Sequence, residues 1–225
     1  MASRDNDAVA DFSQLAVDPA ARLDALALAL AAEFRVVDEA TALARLDELG
    51  AEVAAAAAAA TDELDALCEV LGGRHGFAGA GDEYDHPDNS MLDLALERGR
   101  GLPIVLSVVY VETARRAGIA LDGVGLAGHF VVGQFPPAGG SPILLDPFAG
   151  GVRIAAPPPG EPDVRPWSAH QTTLRMLNNL VGSYTRRNDL GRAIRAGELR
   201  LELPLDRALA QALGVELRAL RARLN

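Results

Sequence analysis

The chain of 225 residues holds a single cysteine, Cys68, and no lysine. One thiol excludes an internal disulfide and any metal cluster built on several cysteines. Without lysine, every cationic side chain other than histidine is arginine, so the chain has no side-chain amine with which to cross-link to itself. Aromatic residues make up only 4%, which leaves Leu, Ala and Val to fill the core. Positive charge is also in deficit: 21 arginines face 31 Asp and Glu, a formal net charge of -10. Nucleic acid is therefore not an expected partner, because phosphate neutralisation needs clustered basic groups. No apolar run approaches the ~20 residues that span a bilayer. The opening "MASRDNDAVADF" is polar and acidic, unlike a signal peptide. A cytoplasmic protein with no membrane contact is expected.

What is present is apolar content of 49%, enough for a core with helical flanks. Residues 1–17 read as a loose tail. Apolar spacings of three and four predict helices from Asp18 to about Phe34, from about Glu39 through the alanine run Ala54 to Ala60, and from Asp62 to Leu71. The Gly/Asp-rich loop "GGRHGFAGAGDEYDHPDNS" follows, with Ser90 in the form of an N-cap for "MLDLALERG". "RGRGLPIVLSVVYVETARRAGI" reads as one buried helix, opened at Pro103 and closed at Gly118. Strands are predicted near 121–126 and 129–135, then at "ILLDPF" and "GGVRIA", with "PPAGGSP" as a turn. The Pro-rich stretch 156–166 marks a boundary. Beyond it come a stripe of Leu174, Leu177, Leu180 and Tyr184, a helix over 190–203, and a leucine stripe from Leu205 to Leu224. Two helices joined by a short turn resemble a tetratricopeptide unit, with Leu177, Leu180, Tyr184 and Ala193 at its key positions. Pro204 lies within one residue of that repeat's closing proline, and Asn188 stands where Gly is usual. One unit is no solenoid, so it is expected to rest on the core with the last helix as a cap. The division expected is a tail and helical flank over 1–61, a core over 62–156, and a linker with C-terminal helices over 157–225.

His129 and Asp146 fall on strands joined by the 136–142 turn. Antiparallel pairing places both at the end away from that turn, where the carboxylate could orient the imidazole. The alternative is a strand histidine satisfied by a neighbour and an aspartate capping a turn before Pro147. The order of "GF" (76–77), "YDHPDNSML" (84–92), "LERGRGLPIVLSVVYVETARRAGI" (96–119), "GVGLAGHFVV" (123–132), "LLDPFAGG" (144–151) and "LRMLNNL" (174–180) resembles the transglutaminase-like superfamily of the papain-type cysteine fold. More narrowly, it is similar to the bacterial transglutaminase-core family with a C-terminal tetratricopeptide-like segment. The resemblance covers about residues 20 to 205. It implies an α+β fold in which a central helix lies on a small antiparallel sheet between helical flanks. It also implies a Cys-His-Asp triad, with the thiol at the N-terminus of the central helix, where the dipole and a nearby His lower its pKa. His129 and Asp146 match two members of that triad. The third position falls at about Pro103, and neither Leu102, Ile104 nor Val105 is a nucleophile.

Two substitutes for the thiol stand in the sequence. Ser107 lies one turn into the helix, where a serine usually bonds a backbone carbonyl. Cys68 sits on an apolar stripe, which favours a buried, inert thiol over one delivered to His129. Asp85, His86, Asp88 and Asn89 crowd one loop. Their spacing fits no standard metal motif, so a solvated turn is expected, with Asn89 and Ser90 capping the next helix. His75 receives no role, and His170 is expected to be exposed. No cofactor or metal is implied. Two readings remain open: a non-catalytic protein that binds a partner or small ligand at the His129 cleft or on its helical flanks, or an amide hydrolase or acyltransferase. The second would use His129 as base, Asp146 as orienter and an unconventional nucleophile.

Overall fold

In the computed structural model, residues 11–81, 84–137, 139–155 and 164–224 are described. The expected loose tail is in part a helix: α1 spans Phe12–Val17, with the Asp11 carboxylate accepting from the Ser13 N–H. Phe12 and Ala16, four apart, share one face and are both fully buried, and that anchors the segment. Asp18 does not open the next helix. Its carboxylate accepts from Ala20 N–H and shapes a turn, so α2 begins late, at Leu23–Ala32. Asp38 caps α3, Glu39–Ala57, which ends before the alanine run does. Asp62 caps α4, Glu63–Cys68, and the chain then continues as a wider π-type turn over Glu69–Arg74. Ser90 is not the expected N-cap. It ends a tight turn, Pro87–Ser90, and Met91 precedes α5, Leu92–Arg98.

The central helix is α6, Pro103–Ala117. Proline suits its first turn because no N–H is needed there. Gly118, at φ 78°, ends it in a left-handed conformation. Arg115 and Arg116 in the last turn complement the helix dipole. Residues 103–110 are buried on every side, which makes α6 the axis of the fold. Before it, β1 (Ala78–Gly79) and β2 (Arg100–Gly101) form a short parallel pair. After it, β3 (Asp122–Leu126), β4 (His129–Gln134), β5 (Ile143–Asp146) and β6 (Val152–Ile154) make an antiparallel sheet in chain order.

Alternation along β4 sorts its side chains. Phe130 and Val132 join the main core with α6, while Val131 packs on the far face with Val124 and Leu144. Three further helices complete the chain: α7 (Ala169–Arg186), α8 (Leu190–Glu202) and α9 (Arg207–Ala222). Ser168 and Gln171 close a capping box at the start of α7. Asn188 carries the turn between α7 and α8 at φ 59°, which suits the Asn found there in place of Gly. One apolar cluster runs from Phe12 to Leu220 through every α-helix and the strands β4 and β5. The architecture is the α+β fold expected, a central helix on a small antiparallel sheet with helical flanks. No helix among the described residues is long and apolar enough to cross a membrane.

Candidate functional site

β4 begins on His129, and β5 ends on Asp146. The register pairs Gln134 with Ile143 and Val132 with Leu145, so both residues emerge at the end of the sheet away from the connecting turn. His129 Nε2 lies 3.0 Å from Asp146 Oδ2. With the carboxylate ionised, Nε2 donates this bond and the lone pair falls on Nδ1. The imidazole keeps 32% of its side-chain surface exposed, against 17% for Asp146, so its open side is reachable from solvent.

Asp146 is itself fixed by backbone. Its Oδ1 accepts from Phe148 N–H at 2.9 Å, and the turn Pro147–Ala149 follows. Gly150 and Gly151, at φ 76° and 89°, then fold the chain back so that Gly151 N–H donates to the Asp146 carbonyl at 2.8 Å. The bond to the imidazole and the bond that caps the turn therefore use different oxygens of one carboxylate.

Phe148 forms the wall beside the imidazole. Its ring stands edge-on to His129 at 6.3 Å and edge-on to Tyr84 at 6.0 Å. A β-carbon on Gly79 would overlap this ring, so the glycine in β1 is what admits it. Neither Phe148 nor Gly79 was singled out in the sequence. The clue available was the small residue in "FAGAG" with a lone aromatic after "LLDP".

Neither substitute nucleophile bonds to His129. The Ser107 hydroxyl is buried and donates to Pro103 O at 2.8 Å, bonding back to a backbone carbonyl as mid-helix serines do. The Cys68 thiol donates to Gly151 O at 3.0 Å. Burial, with the Asp65 charge adding to it, pushes that thiol up to about 11, away from thiolate chemistry. Tyr110 of α6 comes close to the same Gly151 backbone. Burial, then the nearby Cys68 and Asp146, push its phenol well up. Its hydroxyl has no partner among the described residues.

The other singled-out residues go elsewhere. Asp85 pairs with Arg186 at 2.7 Å, and Asp88 accepts from Arg98. His86 Nδ1 accepts from Asp88 N–H, so its Nε2 carries the proton. Ser90 is buried, with no hydrogen-bond partner for its hydroxyl among the described residues. His75 links Arg45 to Glu52, a role the sequence did not suggest. His170, expected in solvent, is half-buried with Nε2 3.4 Å from Leu15 O, because α1 lies against it.

Comparison with known proteins agrees with this fold. A family model of the transglutaminase-like superfamily matches residues 40–158. Proteins named UPF0162 from Xylella fastidiosa strains 9a5c and Temecula1 are each 39% identical over 158 residues, covering 63% of this chain and 56% of theirs. A UPF0162 protein of Pseudomonas aeruginosa is 34% identical over 139 residues, covering 60% of this chain and 50% of its own. The chain thus spans about half the length of the curated relatives it matches. No solved structure matches. Because the matched segment takes in α6, the His129 strand and the Asp146 turn together, this chain belongs to the transglutaminase-like superfamily.

Proposed function

We propose that this protein is a non-catalytic member of its superfamily, a cytoplasmic protein that binds a partner or small ligand at the His129 face or on its helical flanks. The observation that carries this reading is Pro103 at the first position of α6, where the superfamily's thiol would stand. Cys68 and Ser107 support it, since each donates to a backbone carbonyl and neither hydrogen-bonds to the imidazole. In this reading residues 62–156 are the core, residues 1–61 an N-terminal flank, and residues 157–225 a linker with tetratricopeptide-like helices that offer a second surface.

The second reading is an amide hydrolase or acyltransferase. The bond from His129 Nε2 to Asp146 favours it, because Nδ1 is left to accept a proton from an attacking water. One experiment separates the two. Ammonia release from a glutamine-containing peptide, and adducts with iodoacetamide and a fluorophosphonate, are followed between pH 6 and 8. Expected are no fluorophosphonate adduct and no rapid iodoacetamide labelling near pH 6 on the wild-type chain, turnover no higher than that of His129→Ala, and gain of iodoacetamide labelling near pH 7 in Pro103→Cys. Turnover that disappears in His129→Ala, rapid labelling of Cys68 near pH 6, or a fluorophosphonate adduct on Ser107, would overturn the non-catalytic reading.

A further inference from the structure

A cavity of about 360 Å³ opens between the 84–90 loop, the chain after α2 and the α7–α8 turn, apart from His129. Its volume falls within the range of small-molecule sites. Tyr184 of α7 forms part of the wall and is only 5% exposed, yet its hydroxyl has no hydrogen-bond partner among the described residues. His86 lines the same cavity, from a loop that the His129–Asp146 pair does not use. Its Nδ1 is taken by the Asp88 N–H, so Nε2–H is a donor without an acceptor among the described residues. Neither donor is sealed off. Among the described residues, the side-chain polar atoms that are both unpartnered and closed to solvent lie on Ser90, Asp93, Tyr110, Thr113, Thr185 and Arg200.

The charges around the cavity favour an anion. Arg35, Arg187 and Arg192 line it against Asp88 and Asp189. Each aspartate already faces an arginine, Asp88 with Arg98 and Asp189 with Arg192, and Arg35 pairs with Asp93. Arg187 is exposed and pairs with no carboxylate among the described residues. After these pairings one guanidinium, a phenol O–H and an imidazole N–H are left over, on a chain whose net charge is -10. Burial pushes the Tyr184 phenol up to about 12, the Arg192 charge opposing and those of Asp189 and Asp88 adding, so it remains a donor at neutral pH. All three of those charged residues line this cavity, which sets the phenol oxygen beside it. Arg192 also lies 6.0 Å over the Tyr184 ring, and Phe34 and Met91 supply an apolar wall.

We propose that this cavity binds a small acidic molecule. Its carboxylate or phosphate accepts from the Tyr184 hydroxyl, from His86 Nε2–H and from the Arg187 guanidinium, and its apolar body lies on Phe34 and Met91. A ligand here rests on the flank-binding part of the non-catalytic reading. Neither His129 nor Asp146 lines the cavity, so turnover at that pair and binding here are separate results.

The test titrates phenyl phosphate and sodium benzoate, in separate arms at fixed ionic strength and near neutral pH, into the full chain, with neutral benzyl alcohol as a further arm. The ring resonances of Tyr184 and His86 and the heat of binding are followed. Expected is a saturable shift of both rings with at least one of the acids, the tighter arm identifying phosphate or carboxylate. Benzyl alcohol should bind about tenfold more weakly than that acid, or worse. Affinity should fall about fivefold in Arg187→Gln, an exposed position that leaves the core intact, and about threefold in Tyr184→Phe, which removes only the hydroxyl. No saturable shift with either acid would overturn the proposal, as would benzyl alcohol bound as tightly as the acids. Acid binding undiminished in both variants would overturn it equally.

Discussion

A thiol's neighbours decide whether it reacts, and those of Cys68 include a backbone carbonyl, the apolar core and the Asp65 charge. With the pKa pushed up from an ordinary 9.0 to about 11, its thiolate fraction at pH 8 is lower by about a hundredfold. Native protein should therefore react with iodoacetamide at pH 8 about a hundred times more slowly than the same protein unfolded in urea, as read by mass spectrometry over time. Equal rates in the two states would contradict the burial described for this sulfur. The apolar setting of Cys68 was legible in the sequence, because the stripe around it is a periodic signal, although the thiol itself is half-buried. The identity of its acceptor was not. Gly151 lies 83 positions away, and only the glycine doublet's fold-back brings its carbonyl there. Ser90 shows the converse. Its local form is that of an N-cap, yet the chain turns at Pro87 and buries the hydroxyl instead.

Elements were legible where their period was long. α6, α7 and the four strands lie within a residue or two of where apolar spacing put them, apart from five residues before the Leu174 stripe that the Ser168 capping box adds to α7. The two-residue pair of β1 and β2 carries no such period, and the π-type turn after α4 widens a helix that apolar spacing carried on to Leu71. α3 packs on that turn, and the Pro147–Ala149 turn packs on β1. β1 offers a direct check. Gly79→Ala would drive a methyl into the Phe148 ring, an overpacking cost of about 1–3 kcal/mol. Urea unfolding should show that loss, and the double variant Gly79→Ala with Phe148→Leu should recover part of it. A Gly79→Ala protein as stable as wild type would mean that the ring is not held where the fold places it.

At the scale of the molecule, the N-terminal helices are fastened to the centre by buried charge. Asp24 of α2 is fully buried, and its carboxylate accepts from Arg116 of α6 at 2.7 Å. Arg116 also reaches Asp47 of α3 at 2.6 Å and Glu112 at 2.8 Å. Burial alone would raise the Asp24 pKa, but the Arg116 hydrogen bond and the Arg22 and Arg116 charges outweigh it and hold the group below the usual carboxylate range. Glu112 moves the other way, raised by burial and then by the Asp24 charge. A depressed acid contributes stability that is fully present above its unfolded pKa and is lost as pH falls through its folded one. The raised Glu112 contributes in the opposite sense, its share lost as pH rises through its folded value. Asp24→Asn should cost about 2–3 kcal/mol near neutral pH, short of a fully orphaned buried charge because Asp47 and Glu112 still face Arg116. The variant should also lose less stability than wild type between pH 5 and pH 3. Urea midpoints across that range test both parts, and parallel acid limbs would show that Asp24 is not the group responsible. None of this network was visible in the sequence, since Asp24 and Arg116 are 92 residues apart and look like any surface charge.

The divided duty of Asp146 has an evolutionary consequence. One carboxylate oxygen caps a turn, and the other bonds an imidazole. A lineage that gave up its thiol would still be held to an aspartate at this place by the turn alone. An aspartate kept in such a place would be a mark of architecture before it is a mark of catalysis.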